Sequence, residues 1–255
     1  MGAPSVGTPS AGERVHWLSV FLDTPERLMA RETGFWSDIV GAPPGTPMGD
    51  DDEFLPLHPR DGDPCVWLQR TRDDTVASHP DLYVEDVDAA AARALHLGAT
   101  ETDRRDGLVV LRSPGGQPFC LVRWRGQRTR PGAVGPAGGL VDQVCLDVPA
   151  DRFDTERRFW SALTWWPRVE KETSDEFERL SRPPHVPHAL LLQRLGSDRT
   201  GVGAHLDLAA HDRLREVQRH VAAGAEVVAV FAHWTVLEDP VGRRYCVTAR
   251  APGDV

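Results

Sequence analysis

The stretch "LEDPVGRRYC", Leu237 to Cys246, has the pattern of a strand, a tight turn and a second strand. The chain contains nearly the same pattern at Leu111 to Cys120, "LRSPGGQPFC". In each copy a proline and a glycine separate two apolar segments, which is typical of a tight turn. The two copies lie 126 positions apart and both end in cysteine. The pattern therefore indicates a duplicated structural unit.

The duplication extends over most of the chain. "FLDTPERLMARETGFW", beginning at Phe21, matches "CLDVPADRFDTERRFW", beginning at Cys145, at an offset of 124. "HPDL" at His79 then matches "HLDL" at His205 at an offset of 126, after a two-residue insertion. Because these matches keep their order over about a hundred residues, duplication explains them better than chance.

The repeat and the composition divide the chain into four parts. Residues 1–13 form a polar, flexible lead-in, and residues 125–139, rich in Gly, Pro and Arg, form a linker. The two homologous halves are predicted at residues 14–124 and 140–252.

Composition limits the partners. The chain has 255 residues and a formal net charge of -9, which argues against a nucleic-acid partner because phosphate binding needs excess Lys and Arg. No apolar run approaches the roughly 20 residues that cross a bilayer, and the start lacks a secretory signal. The four cysteines show no CxxC spacing, so we expect reduced thiols and a cytoplasmic location. Because no apolar run is long enough to cross a bilayer, we expect no membrane partner.

Each half contains a weaker internal repetition. A strand leads into a helix and then into two or three further strands. The clearest helices are "VDAAAARALHLGA", which ends at Gly98, and the segment from about Arg213 to Ala223, which ends at Gly224. The chain is therefore predicted to contain four modules.

The order of these motifs resembles the glyoxalase/bleomycin-resistance/extradiol-dioxygenase superfamily, also called vicinal oxygen chelate, and in particular its glyoxalase-like domains. The matching motifs are the Leu-Asp strand, the Phe-Trp helix, "LQR", "HxDL" and the Pro-Gly turn, and both copies carry them. The resemblance implies an α+β fold of four βαβββ modules. These would form two tandem cup-shaped mixed sheets, with helices outside and ligands inside.

Strand alternation predicts which side chains face the cups. In "HLDLA", Leu206 and Leu208 form a core face, so His205 and Asp207 share the opposite face. The candidate site residues are His79, Asp81 and Gln69 in the first half and His205, Asp207, Gln143, Gln193, Trp234 and Cys246 in the second. A solvated sheet face or a structural hydrogen-bonded pair is the alternative interpretation.

The ligand positions of metal-dependent relatives are altered here. By the resemblance, those relatives carry histidine in the first strand of a module and glutamate in the last. Here Ser19 and Gln143 stand at the histidine positions, and Cys120 and Cys246 at the glutamate positions. This set suits a hard divalent ion poorly, so neither a metal nor another cofactor is predicted. A zinc site of His and Cys is the alternative.

Two functional classes follow. The first is a metal-independent pocket for a small organic molecule, serving drug or metabolite sequestration, with aromatic side chains for stacking and His, Gln and Asp for orientation. The second is an enzyme, either a lyase, an isomerase or dioxygenase-like. It would be metal-dependent with atypical ligands, or metal-free with His205 or His79 as general base. An interaction module is a third alternative.

The second half is predicted to hold the better pocket. Cys145 leaves more space than Phe21 at the matching position, and Trp165, Trp166 and Trp234 add aromatic surface. The chain is predicted to be either a monomer whose halves form an internal pseudo-dimer, or a homodimer.

Overall fold

The computed structural model describes residues 11–169, 174–196 and 201–253. The predicted lead-in lies outside these residues except for a short 3-10 helix, Ala11–Glu13, which residues 14–16 join to the first strand. The described α-helices are α1 (Met29–Val40), α2 (Val87–His96), α3 (Phe153–Thr164) and α4 (Arg213–Ala222). Among the described residues, no helix combines the length and apolarity needed to cross a membrane.

Each half folds into one mixed seven-stranded sheet. The strands of the first half are β1 (Trp17–Pro25), β2 (Phe54–Pro56), β3 (Val66–Thr71), β4 (Ala77–Val84), β5 (Thr100–Arg105), β6 (Leu108–Arg112) and β7 (Pro118–Arg123), in the order β2-β3-β1-β4-β7-β6-β5. Those of the second half are β8 (Leu140–Pro149), β9 (Phe177–Leu180), β10 (Ala189–Leu195), β11 (Gly203–Ala209), β12 (Glu226–Val230), β13 (Trp234–Glu238) and β14 (Arg244–Thr248), in the order β12-β13-β14-β11-β8-β10-β9. The predicted α+β fold of two tandem cups is confirmed.

Two modules meet in each half through an antiparallel strand pair, β1 with β4 and β8 with β11. The second module of each half has the full βαβββ order. In the first module of each half, one strand is reduced to isolated bridges. Met48 pairs with Phe54 in the first half, and Arg168 pairs with Leu180 in the second. Polar residues on the strands β1, β4, β8 and β11 therefore lie at the centre of each sheet.

The repeated turn has the same backbone bonds in both copies. The Ser113 amide donates to the Gln117 carbonyl (2.9 Å), and the Gly116 amide donates to the Ser113 carbonyl (2.9 Å). Gly116 has φ +99°, a left-handed conformation that glycine adopts without steric cost. The second copy makes the same bonds through Asp239, Gly242 and Arg243.

The halves exchange helix contacts. Trp36 on α1 packs edge-on against Tyr245 on β14, with ring centroids 5.2 Å apart. Reciprocally, Trp160 on α3 packs edge-on against Phe119 on β7, also at 5.2 Å. The same two strand aromatics contact the adjacent Phe35 and Phe159. Each Phe-Trp pair thus packs one half onto the other, and one hydrophobic core runs through both.

Buried glutamates on these helices reach the repeated turns. Glu156 on α3 accepts the Gly115 amide (2.6 Å), and Glu32 on α1 accepts Arg243 Nε (3.0 Å). Arginines on α2 and α4 also bond to the opposite half. Arg93 donates to the Ala162 carbonyl, and Arg219 donates to the Ile39 carbonyl. These bonds satisfy carbonyl groups near helix C-termini.

Candidate active site in the second cup

Three neighbouring strands place the polar side chains of the second cup. His205 on β11 lies opposite Cys145 on β8. Asp207, two residues further along β11, lies opposite Gln143 on β8 and beside Cys246 on β14. Since side chains two residues apart share one face of a strand, the register gathers these groups on the concave side.

His205 lies between two carboxylates. Its Nδ1 lies 2.9 Å from Asp147 Oδ2, and its Nε2 lies 3.3 Å from Asp207 Oδ1. Gln143 Nε2 donates to the other oxygen of Asp207 at 2.7 Å, and Cys246 Sγ lies 3.6 Å from His205 Nε2. Both ring nitrogens of His205 therefore face a fixed acceptor.

These contacts favour the charged imidazolium. Burial lowers the pKa of His205, but the carboxylates of Asp147 and Asp207 outweigh burial and raise that pKa well above 6.5. Burial raises the pKa of Asp207, yet its bonds to His205 and Gln143 and the nearby Arg250 lower it overall. At neutral pH His205 is thus a proton donor, whereas a general base would have to be neutral.

The thiols of this cup are protonated. Burial is the main reason that the pKa of Cys246 lies above its ordinary value, and it raises the pKa of Cys145 in the same way. A thiol ligand must lose its proton to bind a metal strongly, so metal binding here would release protons.

The first cup repeats this cluster. His79 Nδ1 lies 2.9 Å from Asp23 Oδ2, and His79 Nε2 lies 3.5 Å from Asp81 Oδ1. Burial opposes the charge on His79, but the two carboxylates outweigh it and raise its pKa to about 9. Cys120 occupies the position that Cys246 holds in the second half.

An aromatic stack fills the first cup. Phe21 stacks on His79, with ring centroids 5.3 Å apart, and on Trp67 at 5.4 Å. Phe54 meets the same Phe21 ring edge-on at 5.9 Å. The equivalent positions in the second half hold the smaller side chains of Cys145 and Leu191.

His205 is correspondingly more accessible. Its side chain is 13% exposed and that of Asp147 26%, against 7% for His79 and 12% for Asp23. Among the described residues, no aromatic ring stacks on His205. The histidine side chain is therefore more exposed in the second cup than in the first.

Aromatic side chains at the mouth of the second cup belong to opposite ends of the sheet. Trp234 on β13 meets Phe177 on β9 edge-on at 5.6 Å and stacks with Phe231 at 4.8 Å. The sheet must curl for β9 and β13 to touch. Phe177 and Phe231 were not found from the sequence, although Phe177 matches Phe54 by strand register.

Other predicted residues lie elsewhere. Gln193 pairs with Asp147 along the strands, but its side chain donates to Glu176 (3.0 Å) at the exposed rim. Gln69 is half-buried in the first sheet, and its strand partners are Asp23 and Phe54. Trp165 does not add aromatic surface to the second cup as expected, because it lies under the Arg93 guanidinium (3.7 Å) between the halves. Trp166 is buried in the core.

Sequence reasoning also missed Arg179. It lies on β9 opposite Leu191, which lies opposite Cys145, so Arg179 ends the same cross-strand row that contains His205. Its side chain is buried, with 3% of the residue exposed. In the first half, Pro56 occupies the matching register position.

The donor atoms of His205, Asp207 and Cys246 lie within 4.8 Å of one another. Asp147 contacts Nδ1 of His205, so Nε2 of His205 faces the other two donors. A carboxylate commonly orients a metal-bound histidine in this way. Nitrogen, oxygen and sulfur donors together suit zinc better than manganese or iron. The donor set therefore fits a zinc ion once His205 and Cys246 have lost their protons.

Comparison with known proteins gives the family. A model of the glyoxalase-like domain matches residues 19–122 and 143–248. The chain therefore belongs to the glyoxalase-like domain family, in two tandem copies. No curated protein sequence matches the chain.

Solved structures share the fold at low sequence identity. A 2,2',3-trihydroxybiphenyl 1,2-dioxygenase from Sphingomonas wittichii has a TM-score of 0.57 at 19% identity, covering 94% of this chain and 93% of its own. The Mn(II)-bound glyoxalase from Novosphingobium aromaticivorans has a TM-score of 0.63 at 17% identity, covering 92% and 82%. A variant of homoprotocatechuate 2,3-dioxygenase from Brevibacterium fuscum has a TM-score of 0.64 at 15% identity, covering 97% and 75%.

Proposed function

We propose that the second cup binds a small aromatic molecule that carries phenolic or carboxylate oxygens. The observation that supports this most is the partly exposed imidazole of His205, held protonated between Asp147 and Asp207 in a cup without an aromatic stack. A charged N–H donor binds an oxygen acceptor more strongly than a neutral one. Trp234 and Phe177 supply flat apolar surface for an aromatic ring at the mouth of the cup.

Each neighbouring group then has a defined role. Asp147 fixes the ring orientation of His205 through Nδ1. Asp207 stabilises the imidazolium and is itself held by Gln143. Pre-organised donors lower the entropy cost of binding, so a small ligand does not need many contacts.

A metal-dependent enzyme of the lyase, isomerase or dioxygenase type is the second candidate. It is favoured by the close spacing of His205, Asp207 and Cys246 donor atoms. These residues would hold zinc, and zinc would polarise a substrate oxygen as a Lewis acid. The alternative role of His205 or His79 as a general base stays a prediction, and the raised pKa values favour a proton donor instead.

Two probes test the binding function directly. Catechol and homoprotocatechuate would be titrated into chelator-treated protein while tryptophan fluorescence is followed, because Trp234 lies at the cup mouth. We expect saturable quenching that weakens at least about tenfold in His205→Gln, which removes the charged donor. His79→Gln, the matched control in the filled cup, should keep wild-type affinity.

The same titration separates the two candidates. Equal binding by the wild type and His205→Gln would contradict the proposed site. Binding only after zinc is added, with one zinc per chain by elemental analysis, would favour the enzyme. Asp207→Asn and Cys246→Ser should then lose the metal.

We further propose that the chain acts as a monomer in a reducing compartment, the cytoplasm. The four free cysteines support the compartment. The contacts that α1 and α3 make with the opposite half support an internal pseudo-dimer. Light scattering at low protein concentration tests the oligomeric state, and a persistent dimer would contradict it.

A further inference from the structure

A cluster of arginines lies where three segments of the chain converge. Arg130 belongs to the linker, Arg182 to the loop after β9, and Arg250 to the segment after β14, and Arg179 on β9 lies beside them. Arg130 Nη1 donates to the Pro184 carbonyl at 3.1 Å, which joins the linker to the Arg182 loop. We call these four residues the arginine seam.

Arg182 is the buried member whose charge is least satisfied. Only 3% of the residue is exposed. Its Nε donates to the Val186 carbonyl at 2.7 Å, but within residues 11–169, 174–196 and 201–253 neither Nη1 nor Nη2 has a hydrogen-bond partner.

Arg243 shows how this fold satisfies a buried guanidinium. It is 4% exposed, and its side chain donates to Glu32, to the Asp23 carbonyl and to the Thr24 hydroxyl. Every nitrogen of Arg243 is therefore bonded, and the carboxylate of Asp239 lies 3.6 Å from its Nε. Arg182 has neither advantage among the described residues.

Among the described residues, the charges that face Arg182 are mostly positive. Burial and the neighbouring Arg130 are the main reasons that its pKa falls to about 10, with Arg179 and Arg250 adding to the effect. It remains protonated at neutral pH. The acid of this group is Asp142, but both of its oxygens already bind Arg250, at 2.7 and 3.2 Å.

His188 adds no charge to this region. Its side chain is fully buried, and burial is the main cause that lowers its pKa to about 4, so it is neutral at physiological pH. An uncompensated buried charge strongly opposes folding unless a counter-charge approaches.

We propose that the arginine seam binds an oxyanion, a phosphate or carboxylate group, with Nη1 and Nη2 of Arg182 as paired donors. The planar guanidinium matches two oxygens of such a group. Arg130 and Arg250 are half-buried. Arg182 itself lies in the loop after β9, outside the three strands that carry the His205 cluster, so the proposal does not depend on the cup ligand.

Thermal unfolding in graded inorganic phosphate tests the site, with ionic strength held constant by sodium chloride. Binding to the folded state alone raises the melting temperature with ligand concentration. The wild type should gain several degrees and reach saturation, with one phosphate per chain by titration calorimetry. A parallel series with malonate shows whether a carboxylate serves as well as a phosphate.

Three variants make the test specific. Arg182→Met should lose the phosphate response, and without phosphate it should melt no lower than the wild type because an uncompensated charge has been removed. Arg182→Lys keeps the charge but not the paired donors, so its response should be weaker. Arg215→Met, which changes an exposed arginine on α4, should respond like the wild type.

The outcomes that overturn the proposal are equally specific. One is a wild-type response to phosphate and malonate no larger than the response to chloride. Another is an equal response in Arg182→Met, and a third is a lower melting temperature of Arg182→Met in chloride alone, which would show that the chain itself balances this charge. His205→Gln should leave the phosphate response intact, so failure of the cup proposal and failure of the seam proposal can be told apart.

Discussion

The first and second cups hold the same polar cluster in different surroundings. In the first, Phe21 stacks between His79 and Trp67. In the second, Cys145 and Leu191 stand at the positions of Phe21 and Trp67, and the histidine is partly exposed. Both histidines nevertheless have raised pKa values, because each lies between two aspartates.

The comparison separates charge from access. Perturbed pKa values often mark functional sites, but they also occur in structural networks. Here the perturbation is common to both cups, so it does not distinguish them. The side chains that cover each histidine do, and they make the first cup a structural element and the second a candidate site.

The largest expected effect comes from removing the stack. Phe21→Ala should lower the free energy of unfolding by about 3 to 4 kcal/mol, because a buried phenyl ring leaves a cavity. Cys145→Ala, the matched change in the second cup, should cost about 1 kcal/mol since it deletes a single sulfur atom. Urea unfolding measures both, and equal losses would mean that the two cups are filled alike.

The two buried glutamates provide the second test. Both oxygens of Glu156 accept hydrogen bonds, from the Gly115 amide and from Trp160 Nε1, so Glu156→Gln should cost about 2 kcal/mol by opposing a donor to a donor. Glu32 accepts through Oε1 alone, and its buried Oε2 has no partner among the described residues.

Glu32→Gln should therefore be nearly neutral at pH 7. Burial raises the pKa of Glu32 to about 8, so its stabilising contribution is complete below pH 4.5 and is lost as the pH rises through about 8. The variant should accordingly be the more stable protein above pH 8. Urea unfolding at pH 7 and pH 9 checks this, and a large loss in Glu32→Gln at both pH values would refute it.

The pH dependence of stability tests the charge of His79. Its folded pKa is raised, so its contribution is fully present below pH 6.5 and is lost as the pH rises through about 9. From pH 7 to pH 9.5 the wild type should lose about 2 kcal/mol more than His79→Gln. Parallel loss in the two proteins would place the proton elsewhere.

The last expected effect is on ligand affinity. Cys145→Phe places in the second cup the ring that fills the first, and we expect binding of homoprotocatechuate to weaken about tenfold, or about 1.4 kcal/mol. Fluorescence titration measures this, with Phe21→Leu as the control in the first cup. Unchanged affinity in Cys145→Phe would show that the ligand does not reach His205.

Much of this comparison could be predicted from the sequence. The period of two along a strand puts His205 and Asp207 on one face, and the repeat puts His79 and Asp81 at equivalent positions. The size difference between Phe21 and Cys145 is also visible in the sequence. These inferences depend only on local geometry and on the alignment of the two halves.

Long-range contacts were beyond such reasoning. The Phe177–Trp234 contact requires the two ends of a sheet to meet, which strand alternation does not specify. Trp165 lies under Arg93, which is distant in the sequence. Gln193 donates to Glu176 at the rim of the sheet. Neither contact can be read from strand or helix periodicity. The unbalanced charge of Arg182 likewise appears only when the surrounding chain is placed.

The helices that pack on the opposite half have an evolutionary consequence. In a symmetric homodimer every substitution appears twice, so closing one cup would close the other. Joining the halves through residues 125–139 removes that constraint, because each position then mutates alone. One half can specialise in stabilising the fold while the other retains an accessible histidine. The linker also keeps the two halves together even at very low protein concentration.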